Sequence, residues 1–191
     1  MDPIDPIGAR AYMSRGGTDM VAALLGAACA DPAADLRDFR ARYGDHRTPV
    51  ETLFAGVPGG LSRLRAAGLT LSICSNKPQG LCEQVLADTG LEGFFAAVVG
   101  GQPGLRPKPA PALLRTTLAR TGAVPAECLF VGDSELDHQI AAEAGIPFLF
   151  LTHGYAEPGW TPPAGCDSFD GFAALADAVM ARVAAPRQAA A

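Results

Sequence analysis

The chain has 191 residues, 49% hydrophobic and 18% charged, which suffices for one medium domain, or a domain with a small appendage, around a sizeable core. A net charge of −5 with no basic run argues against a nucleic-acid footprint, and the polar, proline-rich start resembles neither a signal peptide nor a membrane span. Five cysteines, at positions 29, 74, 82, 128 and 166, show no Cys-x-x-Cys spacing; they read as small reduced residues of the core, and the expected compartment is the cytoplasm.

In chain order, residues 1–16 form a loose lead-in carrying Pro3, Pro6, Gly8 and Gly16. Thr18 is placed to cap a helix from Asp19 to Ala28, and a second helix is expected from Ala33 to Tyr43, with Gly44 as its stop. Together they predict a small helical subdomain over residues 1–53. From residue 54 onward the texture becomes an alternation of helix and strand. A helix from Gly59 to Ala67 precedes a strand from Leu69 to Cys74, a polar turn over Ser75–Pro78 and a helix from Gln79 to Asp88. Next come a short strand, Ala96–Val99, a Gly/Pro-rich loop over 100–109, and a helix from Ala110 to Arg120. The run Leu129-Phe130-Val131-Gly132 reads as a strand buried on both faces, and it leads into a helix from Glu135 to Ala144. A strand over Ile146–Leu151, a proline-rich loop, a helix from Asp170 to Ala184 and a frayed alanine-rich tail complete the chain. This order predicts an α/β fold over 54–191, a Rossmann-like parallel sheet with helices on both faces.

Chemistry-capable residues recur where strands end. Asp133 follows the central apolar run, and Asp137 lies one helical turn further on, so both carboxylates are expected to face one crevice. Two such groups suit a hard divalent cation, Mg²⁺ before others. The plainer alternative is that Asp133 caps a helix and Asp137 is a solvated surface residue. Ser75 with Asn76, and Lys108, sit at two further strand ends, and right-handed crossovers bring all three ends to one edge of the sheet. Hydroxyl, ammonium and carboxylate-bound cation are what a transferring phosphoryl group requires. Taken singly, Ser75 and Asn76 are also ordinary turn residues, and Lys108 an ordinary loop lysine.

Ser75-Asn76-Lys77-Pro78, Arg106-Pro107-Lys108-Pro109 and Gly132-Asp133-Ser134-Glu135-Leu136-Asp137 resemble the second, third and fourth motifs of the haloacid dehalogenase-like hydrolases, nearest to their phosphoglycolate phosphatases. Arg10 to Leu25 is similar to the first helices of that subfamily's helical cap. The resemblance implies a Mg²⁺-dependent phosphatase of small phosphorylated metabolites, with 2-phosphoglycolate as the leading substrate, acting as a monomer or homodimer with no nucleic-acid or membrane partner. It implies that Ser75 bonds the phosphoryl oxygens and Asn76 orients the phosphate loop. Lys108 would stabilise the phosphorylated intermediate, Asp133 bind Mg²⁺ and Asp137 support the metal site, with Arg15 or Lys77 meeting a substrate carboxylate.

The family's first motif, an apolar strand ending in Asp-x-Asp-x-Thr, is not found; Asp2 and Asp5 lack both the strand and the spacing. In the family that strand is central and carries the nucleophile. The sequence therefore predicts an N-terminally shortened chain with little turnover and a gap between two strands. Ser75, Cys74 or Cys82 as a substitute nucleophile has no neighbouring histidine in sequence to activate it. Two alternatives stay open: a non-catalytic phosphate- or metabolite-binding protein, and a dehalogenase, which has no need of the cation. His46, His138 and His153 share no ligand spacing, and Tyr155, Pro158 and Trp160 are expected to pack their loop.

Overall fold

The computed structural model describes residues 4–13 and 17–184. Arg15 and the tail beyond residue 184 lie outside the described residues. A short helix α1 (Pro6–Ala9) leads into α2 (Gly17–Leu25) and α3 (Pro32–Gly44), which pack on each other around Met20, Val21 and Leu36. Thr18 lies inside α2, and the last residues expected in that helix, Gly26–Ala28, form a 3₁₀ turn instead. The cap of α3 is Asp31, whose carboxylate accepts from the Ala33 and Ala34 amides at 3.0 and 3.1 Å, with Pro32 at the first helical position.

The alternating region follows as α4 (Val57–Ala66), β1 (Ser72–Pro78), α5 (Gln79–Asp88), β2 (Ala97–Gly101) and α6 (Ala112–Thr121). It continues as β3 (Phe130–Gly132), α7 (Glu135–Glu143), β4 (Phe148–Leu151), β5 (Asp167–Phe169) and α8 (Phe172–Ala184). Strand β5 carries few apolar residues and was not expected from the sequence. It forms because β4 offers a free edge, against which Ser168 registers with Phe150. The segment Ser75–Pro78, expected as a turn, continues β1 in extended form, with a register irregularity between Cys74 and Pro78.

Every strand pair is parallel, as expected, but the sheet is in two pieces: β1 with β2, and β3-β4-β5. The break falls between β1 and β3, where the sequence reading places a central strand. It corrects the expectation that β3 is buried on both faces: Leu129 is 36% and Val131 38% exposed. Side chains from both pieces still share one layer. Cys74 of β1 and Phe130 of β3 pack with Leu114 of α6 and Ile140 of α7. On the opposite face Leu61 and Leu64 of α4, Leu86 of α5 and Leu175 of α8 cover the two pieces. The alternation of Ile73 and Cys74 between these layers is the period-two consequence of an extended chain.

The outer edge of β2 is closed by side chains. The Gln79 carboxamide acts as a surrogate peptide unit, donating to the Val98 carbonyl at 3.1 Å and accepting from the Gly100 amide at 2.6 Å. Arg120 donates to the same Val98 carbonyl at 3.1 Å, so this edge is a poor template for another strand. All five cysteines are free thiols: Cys82 is buried, Cys74 and Cys128 pack against the core while partly exposed, and Cys29 and Cys166 are partly exposed. No described helix is long and apolar enough to cross a membrane.

The connector from α3 to α4 is clasped by α5. Gln84 donates to the carbonyls of Gly44 and His46 at 3.2 and 2.9 Å. Asp88 accepts from the Thr48 amide at 2.9 Å and from Arg47 at 2.8 Å, and these bonds, the amide first, hold its carboxyl below the usual carboxylate range. Because folding lowers this pKa, the contribution of the clasp is fully present above the unfolded value and vanishes as pH falls through the folded one. Asp88→Ala should therefore cut hydrogen-exchange protection of the Thr48 amide about tenfold at neutral pH. In the unsubstituted protein that protection should survive acidification through the ordinary carboxylate range and fail only below it.

Candidate active site

Three chain segments meet at the carboxyl ends of β1 and β3. The first is the end of β1, where the Ser75 hydroxyl accepts from the Lys77 amide at 3.2 Å. Asn76 turns its carboxamide on the loop carrying Lys108: its Oδ1 accepts from the Lys108 amide at 2.6 Å, and its Nδ2 donates to the Lys108 carbonyl at 3.2 Å. Both polar atoms of Asn76 thus hold the backbone of Lys108, 32 residues away in sequence. That pairing orients the lysine side chain inward.

The Lys108 ammonium donates to Asp137 Oδ1 at 2.6 Å and reaches the Cys74 carbonyl at 3.4 Å. It spans the break, one contact on β1 and one on the helix that follows β3. The pair is enclosed, with Lys108 11% and Asp137 6% exposed. The other Asp137 oxygen accepts from the Ser134 hydroxyl at 2.9 Å and the Asp133 amide at 3.2 Å. Asp137 is thus a buried anchor, not the solvated residue of the plainer sequence reading, and Ser134 rather than Asp133 caps α7. The fit leaves no room beside Gly132: a Cβ there would stand 2.3 Å from the Asp137 Cβ.

Asp133 sits beside this pair. Burial pushes its carboxyl up to about 6, the negative charge of Asp137 adds to the rise, and Lys108 opposes it. Among the described residues no group of three or more His, Cys, Asp or Glu side chains is placed to hold a metal. The donor chemistry still fits a magnesium ion, which commonly takes one or two carboxylates and fills its remaining positions with water and phosphate oxygens. Both oxygens of Asp137 are engaged, whereas Asp133 is a half-buried carboxylate whose charged form gains from a nearby cation.

Lys108 also lines a cleft of about 610 Å³ with Asp19, Arg106, Glu135, Glu143 and Glu157. Four carboxylates against two cations make that cleft unfavourable for an anion. Lys77 points elsewhere, its ammonium 5.0 Å over the ring of Tyr43 on α3 and 3.4 Å from the Tyr43 hydroxyl. His138 packs edge-on against Phe148 at 5.4 Å and near Trp160 at 6.1 Å, as part of an aromatic cluster. Burial pushes the thiols of Cys74 and Cys82 up, the reverse of nucleophile activation.

A family model described as haloacid dehalogenase-like hydrolase matches residues 10–151. The chain belongs to the haloacid dehalogenase-like hydrolases. Within this family it is 34% identical over 171 residues to a plasmid-encoded phosphoglycolate phosphatase of Cupriavidus necator, covering 87% of this chain and 74% of that protein. It is 35% identical over 175 residues to a phosphoglycolate phosphatase of Rhodobacter capsulatus, covering 87% and 77%. The crystal structure of a predicted phosphoglycolate phosphatase from Haemophilus somnus superposes with a TM-score of 0.76 at 26% identity, over 90% of this chain and 80% of that one. The mixed α/β architecture is accordingly that of a haloacid dehalogenase-like core with its Rossmann-like parallel sheet.

Sequence reasoning named Ser75, Asn76, Lys108, Asp133 and Asp137, and the fold brings all five to one sheet edge. It did not single out Ser134, Gly132 or the Cys74 carbonyl; Ser134-x-x-Asp137 at a helix start was the available signal for the first. Lys108→Ala leaves Asp137 buried without its cation and should cost about 3 kcal/mol in urea unfolding. Lys108→Ala combined with Asp137→Asn should recover a large part of that loss, because the stranded charge is gone.

Proposed function

We propose that this protein is a Mg²⁺-dependent phosphoric monoester hydrolase acting on small phosphorylated metabolites, with 2-phosphoglycolate the leading substrate. The observation that carries the reading is the Lys108–Asp137–Asp133 group at the strand ends, an ammonium and a cation-suited carboxylate set side by side. The phosphoglycolate phosphatases to which the chain is similar support the substrate class.

In this reading Ser75 donates to a phosphoryl oxygen, and Lys108 places positive charge where negative charge builds as the phosphorus–oxygen bond breaks. Asn76 fixes the lysine backbone, and Asp137 fixes its ammonium. Asp133 would hold Mg²⁺, which supplies neutralisation of the remaining phosphoryl charge. These groups bind and stabilise; none of them is an activated nucleophile. Asp-x-Asp-x-Thr does not occur in the 191 residues, so these residues on their own are expected to bind phosphate with little or no hydrolysis. A non-catalytic phosphate-binding role is the second reading, carried by the same Lys108, Asp133 and Asp137 group.

Calorimetric titration with inorganic phosphate, with and without Mg²⁺, tests the site. Binding that requires Mg²⁺ and is lost in Asp133→Asn and Lys108→Ala is the expected result, and no binding by the unsubstituted chain would overturn the reading. Release of phosphate from 2-phosphoglycolate, followed in the same samples, is expected to be slight for these residues alone, and turnover would decide for the hydrolase over the second reading.

A further inference from the structure

The segment after β4 lies directly on Asp133. A Cβ at Gly154 would stand 2.0 Å from the Asp133 Cβ and 2.2 Å from its Oδ2, so the chain passes there only as glycine backbone. One side of this segment is tied to the sheet, where the Thr152 amide donates to the Phe169 carbonyl at 2.9 Å. Its other attachments come from a distant part of the chain. Arg10 Nη2 donates to the carbonyls of His153 and Gly154 at 2.8 and 3.3 Å, and its guanidinium lies 5.4 Å over the Tyr155 ring. The His153 ring rests 5.2 Å from that of Phe54. Arg10 and Phe54 flank the helical stretch that contains α2 and α3. Both ends of that stretch therefore grip a segment that bears on Asp133.

We propose that Arg10 is a positioning residue: with Phe54 it clamps the segment Thr152–Tyr155 onto Asp133, so that the placement of α2 and α3 sets the geometry at Asp133. A planar guanidinium serves two carbonyls and an aromatic face at once, which an ammonium does not. Displacement of either end of the helical stretch lifts Gly154 and opens Asp133 to water. The effect on cation binding rests on the function proposed above; the mechanical coupling does not.

The test compares Arg10→Ala with Arg63→Ala, which removes the same charge from an exposed pair with Asp177. In Arg10→Ala the amides of Asp133, Gly154 and Tyr155 should exchange about tenfold faster, with no such change in Arg63→Ala. Arg10→Lys should fall between them. Affinity for Mn²⁺, read by paramagnetic resonance as a substitute for Mg²⁺, should weaken about tenfold in Arg10→Ala alone, as for loss of an outer support of a metal ligand. Phe54→Ala should shift exchange in the same direction, and it decides the matter if Arg10→Ala does not fold. Asp133 exchange equal in Arg10→Ala and Arg63→Ala, or unchanged in Phe54→Ala, overturns the clamp. If the unsubstituted chain takes up no Mn²⁺, the cation reading fails while the Asp133 exchange still decides the coupling.

Discussion

The contact on which the rest of the site depends is the ion pair between Lys108 and Asp137. Removing two charges from water is costly, and the pair repays that cost only with short geometry and full use of the remaining donors and acceptors. The geometry here is short and most of the remaining donors and acceptors are used. The Nζ–Oδ1 distance is 2.6 Å, the second carboxylate oxygen takes a hydroxyl and an amide, and the lysine backbone is held in both directions by Asn76. One buried pair thereby fixes the orientation of a cation, a helix start and the turn that carries Asp133.

The pair matters more because the sheet is divided. Strands β1 and β3 exchange no ladder bonds, and the two pieces are joined by packing and by the reach of Lys108 from the Cys74 carbonyl to Asp137. The two boundaries of the β1–β2 piece differ in kind. The outer edge of β2 is capped by Gln79 and Arg120, whereas the side toward β3 is met by an ammonium at its carboxyl end. A capped edge excludes another strand, and the strand end gathers the chemistry-capable side chains. Structure and chemistry are therefore arranged on opposite sides of β1 and β2.

The helical stretch is bound to this core by clasps rather than by a shared core. Met20, Val21 and Leu36 form their own cluster, and the attachments include Gln84 and Asp88 on one connector, Lys77 on Tyr43 of α3, and Arg10 and Phe54 at its ends. Polar clasps of this kind are exposed to solvent competition and open at lower free energy than a packed core. The stretch so attached is also the one whose ends touch the segment over Asp133.

The sequence alone determined the alternation of helix and strand, the parallel sense of the strands and the residue types gathered at their ends. Those features are local: apolar runs of strand length, glycine stops after helices, and acidic or polar residues just past each strand. What it did not reveal arises from atoms brought together across long separations. Ser75–Pro78 looks like a turn because it is polar, yet it is held extended beside β2. Strand β5 has no apolar pattern and exists because β4 has an edge to fill. Asn76 reads as a phosphate-loop residue, but its partner is Lys108. Val131 reads as doubly buried, but burial depends on neighbours that the strand does not itself encode. Gly154 resembles any loop glycine until Asp133 is seen to lie where its side chain would go. Composition and spacing decide what a segment is able to form. Close approach, burial and the pairing of charges are properties of the folded neighbourhood, and only the tertiary structure decided them.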